Sequence, residues 1–343
     1  MNRLGLGVQV AGVRFLSKRK PLFVTLRVTN RCNFNCVYCD YSSNKDKDPT
    51  SGQIRKCIDE FSRAGTYKFG FTGGEPMLRK DIGELISYAK KAGLVTTMTS
   101  NGWHVAQRIE DLKDLDVIIL SLDGTEKVHD ENRRKGSFKR VMDAARICRH
   151  HGIKVIGLTV LTRTNLNQIG SILELADQYG FQQIFQPVET RDFFKSGLSE
   201  VAPDKEGFLK ALSEIRSAKK YRNSVLNSTA YLDFLESWPN YEGKTVCWAG
   251  RISCVINTDG TVLPCNNLSR AGKTASGFKT GFKHAFEKME GYACEGCWTN
   301  CYQENNCVMN LDFLSIADAI GKIGQFKRKN VSETSMARGV NGK

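Results

Sequence analysis

"FVTLRVTNRCNFNCVYCD", residues 23–40, runs from a β-branched, apolar segment straight into Cys32, Cys36 and Cys39. The segment reads as a strand, so the three cysteines belong to the loop at its C-terminal end. Three thiols with no fourth beside them suit neither common structural use. A tetrahedral zinc site takes four protein ligands, often as two close pairs, and a disulfide takes two. A cubic iron–sulfur cluster held at three corners, with its fourth iron open to another ligand, fits the count.

Outward from that stretch, strand patterns recur at 67–73, 95–101, 117–123, 154–161 and 182–189. Several are nearly continuous in apolar residues, as in strands covered on both faces. Helical patterns at 51–64, 81–92, 105–115, 138–151 and 165–179 lie between them, and most end at a glycine suited to a left-handed cap: Gly65, Gly93, Gly152 and Gly180. Six βα units in succession predict an α/β fold, its parallel sheet curling with right-handed crossovers into a partial (β/α)6 TIM-like barrel. Such sheets bind ligands at their C-terminal edge, where the three cysteines fall.

A further helical pattern (204–219) leads to the irregular "ESWPNYEGK", read as a domain boundary. The expected division is a basic extension over 1–22, the barrel over 23–240, a small cysteine-rich domain over 241–320 and a mobile basic tail over 321–343. Of the twelve cysteines, seven lie between 247 and 307, where "ISCVINTDGTVLPC" reads as a hairpin turning at Asp259–Gly260.

At 41% hydrophobic and 25% charged residues the composition excludes a disordered chain, and no apolar run reaches membrane-spanning length. The opening residues do not read as an export signal, so a cytoplasmic location is expected, where cysteines serve as ligands more than as disulfides. The net charge of +14 is concentrated at the ends: residues 1–27 hold six basic side chains and no acid, residues 321–343 six against one acid. A nucleic-acid enzyme spreads its basic residues along a face. Basic ends fit an anionic membrane surface or an acidic partner better, or are simply solvated tails.

Residues 32–39 form a CxxxCxxC signature with Tyr38 before its last cysteine, and "TGGEPMLR" (72–79), "TSNG" (99–102) and "SLDG" (121–124) close the next three strands. Over residues 23 to about 190 the chain thus resembles the radical S-adenosylmethionine (radical SAM) superfamily. The resemblance implies that Cys32, Cys36 and Cys39 hold a [4Fe–4S] cluster whose open iron chelates the amino and carboxylate groups of S-adenosyl-L-methionine. Gly73, Gly74 and Glu75 would let backbone approach that amino group. Tyr38 would lie near adenine, Ser121 near ribose or carboxylate, and Ser100 and Asn101 along the pocket. Arg133, or a neighbour in "HDENRRKGSF", would pair with the carboxylate. An electron from a donor such as a flavodoxin or ferredoxin would then yield a 5′-deoxyadenosyl radical that takes hydrogen from a precursor.

Downstream, Cys247-x12-Gly260-x4-Cys265 followed by Cys294-x2-Cys297 resembles the twitch and SPASM auxiliary-cluster domains of that superfamily. A twitch module would hold one auxiliary [4Fe–4S] cluster through Cys247, Cys265, Cys294 and Cys297. Cys254, Cys301 and Cys307 remain, but in an order that departs from the two-cluster pattern. A second cluster would need a ligand such as Glu304, Asp312 or substrate. The same cysteine pairs around a hairpin also fit a structural zinc ribbon. An auxiliary cluster would accept an electron, bind substrate or relay charge.

Other residues read more plainly. Cys57 and Cys148 fall on helices as small hydrophobes, while His129, His150 and His151 suit solvated or capping positions. No general base can be named, and the few residues before Cys32 leave no room for a cobalamin domain. The expected activity is oxidation of a small-molecule, lipid or peptide precursor. A barrel starting near residue 23 lacks a peptide-docking extension, which favours a small or lipidic substrate, with "VAGVRFLSKRK" (10–20) as an interfacial anchor. Two alternatives are an RNA substrate gripped by the basic ends and a non-enzymatic binding protein stabilised by zinc or a cluster.

Overall fold

Alternation along the strands decides which side of the sheet each residue faces, and that sorting builds the molecule. The computed structural model describes residues 3–16, 19–39, 47–189, 200–241, 246–267, 275–289 and 296–310. After α1 (Arg3–Leu16) come β1 (Phe23–Thr29), α2 (Ser51–Arg63), β2 (Lys68–Gly73), α3 (Ile82–Lys91), β3 (Val95–Ser100), β4 (Val117–Ser121), α4 (Glu126–Asn132), α5 (Ser137–His150), β5 (Lys154–Leu161), α6 (Ile169–Tyr179) and β6 (Gln182–Pro187). Strands β1 to β6 are parallel neighbours in chain order. Val24, Leu26, Val28, Phe69, Phe71, Met98, Ile118, Leu120 and Phe185 turn to the helices and share one core with Ile54, Phe61, Leu85 and Leu173. By the two-residue period of a strand, Thr25, Thr72, Thr99, Ile119, Leu158, Val160, Ile184 and Gln186 face the other way, and all stay partly accessible. The inner face is therefore a surface a ligand can reach, with hydroxyls on β1–β3 and aliphatic side chains on β4–β6.

Two connections differ from expectation. The pattern at 105–115 is a run of 3-10 turns, Ala106–Leu112, broken at Arg108. Arg108 leaves helical geometry and donates to the Met77 and Lys80 carbonyls, a tertiary demand that periodicity does not register. Helix α4 was not foreseen either.

After α7 (Lys205–Lys219) and α8 (Thr229–Phe234), β7 (Ser253–Ile256) and β8 (Val262–Leu263) form the predicted antiparallel hairpin. Gly260, at φ +82°, takes the left-handed turn position that glycine tolerates best. The hairpin does not stand apart. Strand β7 lies parallel to β1, giving one eight-stranded open sheet in the order β6-β5-β4-β3-β2-β1-β7-β8. Helices α9 (Gly277–Thr280), α10 (Phe282–Glu287) and α11 (Asn300–Met309) follow. This C-terminal segment crosses from β1 to β6. At one side Arg27 donates to the Asn257 and Asn266 side chains and Asn30 to Thr258. At the other, the Asn300 N–H donates to Gln186 and the Trp298 N–H to Glu189.

Helix α1 also folds back. Val13 is buried with Trp248, Ile252 and Met309, Val10 and Phe23 lie against them, and Arg14 stacks over the Trp248 ring. The apolar side of the anticipated membrane anchor is thus largely spent inside the chain, although Phe15 is exposed. Among the described residues no helix is long and apolar enough to cross a membrane. The basic tail lies outside the described residues.

The free edge of β6 is sealed by side-chain mimicry. The Phe185 N–H donates to Asn227 Oδ1 and Asn227 Nδ2 donates to the Phe185 carbonyl, each at 2.9 Å, beside a parallel bridge between Gln183 and Val225. Asn227 is fully buried, so Asn227→Ala leaves two buried backbone groups unpaired. Urea unfolding of that variant is expected to show a loss of about 2–4 kcal/mol.

Candidate active site

The loop after β1 has little regular structure, and its neighbours shape it. The Val37 N–H donates to the Asn132 carbonyl (3.1 Å), the Cys39 N–H to the Cys36 carbonyl (3.1 Å) and the Phe34 N–H to Cys32 Sγ (3.4 Å). Cys32, Cys36 and Cys39 lie close enough that an ionised Cys39 raises the thiols of both Cys32 and Cys36. Burial pushes the Cys32 thiol up and that of Cys36 to about 11, with the Arg133 guanidinium opposing the shift at Cys36. Three crowded thiols of this kind give up their protons together only to a strongly cationic centre. Among the described residues no three potential ligands converge on a single-ion site. A cubane asks for less convergence, because each thiolate binds its own iron.

The Gly73–Gly74–Glu75 loop locks onto the chain entering this loop. The Gly74 N–H donates to the Thr29 carbonyl and the Glu75 N–H to the Arg31 carbonyl, both at 2.9 Å. A Cβ on Gly73 would stand 2.1 Å from the Thr29 carbonyl oxygen, and one on Gly74 2.2 Å from that of Arg31. Glycine is therefore required here by backbone against backbone. Glu75 is fully buried and accepts from the Met77 N–H, the Ser100 hydroxyl and the Asn101 N–H. Burial pushes its carboxyl up to about 7 against those three hydrogen bonds. Ser100 and Asn101 thus position Glu75. Asn101 also reaches the cysteine loop, its Nδ2 donating to Asn33 Oδ1 at 2.8 Å.

The residue that organises the opposite wall, Asp123, was missed from sequence, although it stands inside "SLDG". Fully buried, it pairs with Arg133 at 2.6 Å. It also accepts from the Tyr38 hydroxyl (2.5 Å) and the Val160 N–H (3.2 Å). Its neighbours supplied the signal: an acid ending an apolar strand, with arginines ten residues on. Arg133 gives Nε and Nη2 to Asp123, lays its guanidinium over the Tyr38 ring and leaves Nη1 3.9 Å from Cys36 Sγ. Burial opposes its charge, but Asp123, Tyr38 and Cys36 outweigh that and hold it above its ordinary value. Two of its nitrogens are thus already engaged, not held free for a ligand carboxylate. Ser121 is buried at the end of β4 and makes no side-chain hydrogen bond among the described residues.

His129 is fully buried, not solvated: its Nδ1 accepts from the Asp123 N–H, and burial lowers its pKa to about 4. The proton then sits on Nε2; among the described residues neither it nor the buried Nδ2 atoms of Asn33 and Asn132 meet an acceptor.

The second cysteine group is partly assembled. Cys265 and Cys297 are buried together with Tyr302, whose hydroxyl accepts from the Asn266 N–H. Cys301, accessible yet enclosed, has its thiol pushed up to about 11 by those surroundings, with the Lys68 ammonium working the other way. The Trp248 N–H bonds Asn306, which brings the chain at Cys247 beside that at Cys307. Cys294 and Asp312 lie outside the described residues. Cys254 does not join this group. Strand β7 turns it into the main core, near the buried Cys57, because it continues the apolar face of β1 opposite Val24. Cys148 is likewise a buried core residue. Glu304 accepts from the Ser228 N–H at the start of α8.

A three-cysteine loop at the C-terminal edge of a parallel sheet, braced by a GGE turn, defines an S-adenosylmethionine radical enzyme. The family model described as the radical SAM superfamily matches residues 26–176. The chain belongs to that superfamily. Mycofactocin maturase MftC of Mycobacterium ulcerans (strain Agy99) is 30% identical over 304 residues, covering 84% of this chain and 82% of the relative. Among solved structures, Streptococcus suis SuiB bound to precursor peptide SuiA is similar with a TM-score of 0.65 at 15% identity, over 90% of this chain and 77% of that one. Native anSMEcpe with bound AdoMet gives 0.59 at 17% identity, over 90% of this chain and 100% of that one. The enzyme accordingly uses a [4Fe–4S] cluster and S-adenosylmethionine. The crowded thiols fit the cluster.

Asp123→Asn should destabilise the apoprotein by about 3 kcal/mol or more, since it strands the Arg133 charge. The double variant Asp123→Asn/Arg133→Met should cost less than the single one, a non-additivity that urea titrations can read. Glu75 makes a pH prediction. Its folded pKa lies above the usual 4.5, so its contribution to stability is complete below that value and is lost as pH rises through about 7. Apoprotein stability should fall by about 1 kcal/mol between pH 6 and 8, and Glu75→Gln should remove that slope.

Proposed function

We propose that this enzyme modifies a precursor peptide, with Cys32, Cys36 and Cys39 holding the radical-generating cluster and the later cysteines holding an auxiliary one. When bound, the cluster supplies reductive cleavage of S-adenosylmethionine, whose radical takes hydrogen from the substrate. The observation that carries this reading is 30% identity to a maturase over 304 residues, which covers 84% of this chain. The likeness to a fold solved with a precursor peptide supports it. Among the small-molecule, lipid and peptide precursors considered, these likenesses favour the peptide.

The chain's own residues divide the work. Tyr38, Asp123 and Arg133 hold one side of the cysteine loop, and Gly73, Gly74, Glu75, Ser100 and Asn101 hold the other. Ser121, at the end of β4, would lie beside the cofactor. Thr25, Thr72 and Thr99 offer hydroxyls to a peptide backbone, while Ile119, Leu158, Val160 and Ile184 offer apolar contact to a side chain and keep water from it. Cys247, Cys265, Cys294 and Cys297, with Cys301 and Cys307 nearby, would hold the auxiliary cluster. A protein donor of low potential supplies the electron.

Two measurements test this. After anaerobic reconstitution, a deuterated precursor peptide should pass label into 5′-deoxyadenosine, and a small-molecule or lipid precursor labelling it instead would overturn the substrate reading. Cys265→Ala and Cys297→Ala should lose about four irons per chain yet still cleave S-adenosylmethionine, whereas Cys32→Ala should abolish cleavage. Zinc retained in place of those irons would favour the ribbon.

A further inference from the structure

Outside the catalytic wall, the run Arg133 to Arg140 carries five basic side chains and no acid. Arg133 points inward, and the others ride over the cysteine loop. The Arg134 guanidinium lies 4.2 Å above the Trp103 ring and 5.8 Å from that of Phe34, and Arg140 lies 5.4 Å from Trp103. Phe34 meets Trp103 edge to face at 5.7 Å. Arg134 Nη1 donates to the Asn33 carbonyl at 2.8 Å, and the next residue, Phe34, gives its N–H to Cys32 Sγ. One residue of backbone thus separates this surface from a cluster thiol. Lys135 and Lys139, both exposed, flank it in sequence. The nearby acids offset part of this charge: Asp111 pairs with Arg108 and Asp143 with Arg146, Asp130 accepts from the Gly136 and Phe138 N–H groups, and Glu110 and Glu131 are exposed. The density of charge shows at His104, held below its ordinary pKa by burial and then by Arg108, Arg140 and Arg134.

We propose that this shelf, Trp103 with Arg134, Lys135, Lys139 and Arg140, is where an acidic one-electron carrier protein docks to reduce the cluster. The proposal rests on the radical SAM reading above. The inner face of the sheet belongs to substrate, so an electron from a protein enters from outside, over the shortest path to a thiolate. A compact positive patch speeds and orients the encounter with a negatively charged partner. The transfer is one electron from carrier to cluster; no bond changes at that step. Nucleic acid fits less well, because single strands stack their bases on open rings. Here Arg134 and Arg140 already lie over Trp103.

The test uses the reconstituted holoenzyme and two reductants, a flavodoxin with its NADPH-dependent reductase and the small anion dithionite. Lys135→Glu/Lys139→Glu/Arg140→Glu should lower flavodoxin-driven 5′-deoxyadenosine formation about tenfold at low salt. Its dithionite-driven rate should stay within about twofold of wild type. The wild-type flavodoxin rate should fall as salt screens the patch. Lys210→Glu/Lys220→Glu, the same kind of reversal at α7 and its C-terminal cap, should change neither rate. The milder Lys135→Gln/Lys139→Gln should show a smaller selective loss, which guards against misfolding. An unchanged flavodoxin rate in the triple variant would overturn the proposal, as would equal loss with both reductants. Salt-sensitive tRNA binding lost by the triple variant, with flavodoxin turnover intact, would assign the shelf to nucleic acid. No cleavage by wild type with dithionite would instead sink the superfamily activity itself.

Discussion

The ion pair between Asp123 and Arg133 ties together three pieces of chain: the end of β4, the α4–α5 connection and the cysteine loop. Both partners are withdrawn from water, with side chains 0% and 7% exposed. Removing two charges from solvent costs more than their attraction returns unless further hydrogen bonds complete the shell. Here the Tyr38 hydroxyl and the Val160 N–H complete it on the acid, and the Tyr38 ring and Cys36 sulfur lie against the base. The pair fixes Tyr38 and sets a positive charge beside a thiol that burial alone would keep protonated. A loop with almost no internal hydrogen bonding thereby acquires one shape.

The glycine pair solves the same problem from the other side. Backbone meets backbone where Gly73 and Gly74 touch Thr29 and Arg31, and Glu75 follows as a buried carboxyl with three donors. Arg79 adds to this, giving Nη1 to the Val28 and Pro49 carbonyls while pairing with Asp81. The braces come from three βα units: Gly73 to Arg79 stand at the end of β2, Ser100 and Asn101 at that of β3, and Asp123 and Arg133 follow β4. Such a site cannot form until the sheet has assembled its strands in register, which ties the cofactor's position to the fold as a whole.

The C-terminal cysteines reach the same inner face by another route. Because β7 extends the sheet beside β1 and α11 contacts β6, Cys265, Cys297 and Cys301 sit against the barrel, with Cys301 near Lys68 on β2. A substrate held between the hydroxyl-lined and aliphatic strands would lie between two groups of thiols. That arrangement suits a reaction that removes hydrogen at one end and an electron at the other.

Much was legible in the residues themselves. Period and glycine placement located the six strands and most helices, since a strand covered on both faces must be apolar throughout and a helix must stop where a left-handed residue permits. The spacing of Cys32, Cys36 and Cys39 pointed to a cluster loop, because metal chemistry constrains neighbours along a chain. Long-range partners left no such mark. That Asp123 meets Arg133, that Gly73 and Gly74 are pressed by Thr29 and Arg31, that Cys254 turns into the core while Cys265 joins Cys297, and that α1 folds onto Trp248 are consequences of which strands pair and which side chains they bury together. A linear pattern specifies what each residue prefers locally. Only packing decides which preferences can be met at once, since a buried charge or thiol takes its role from whatever the fold brings within a few ångströms of it.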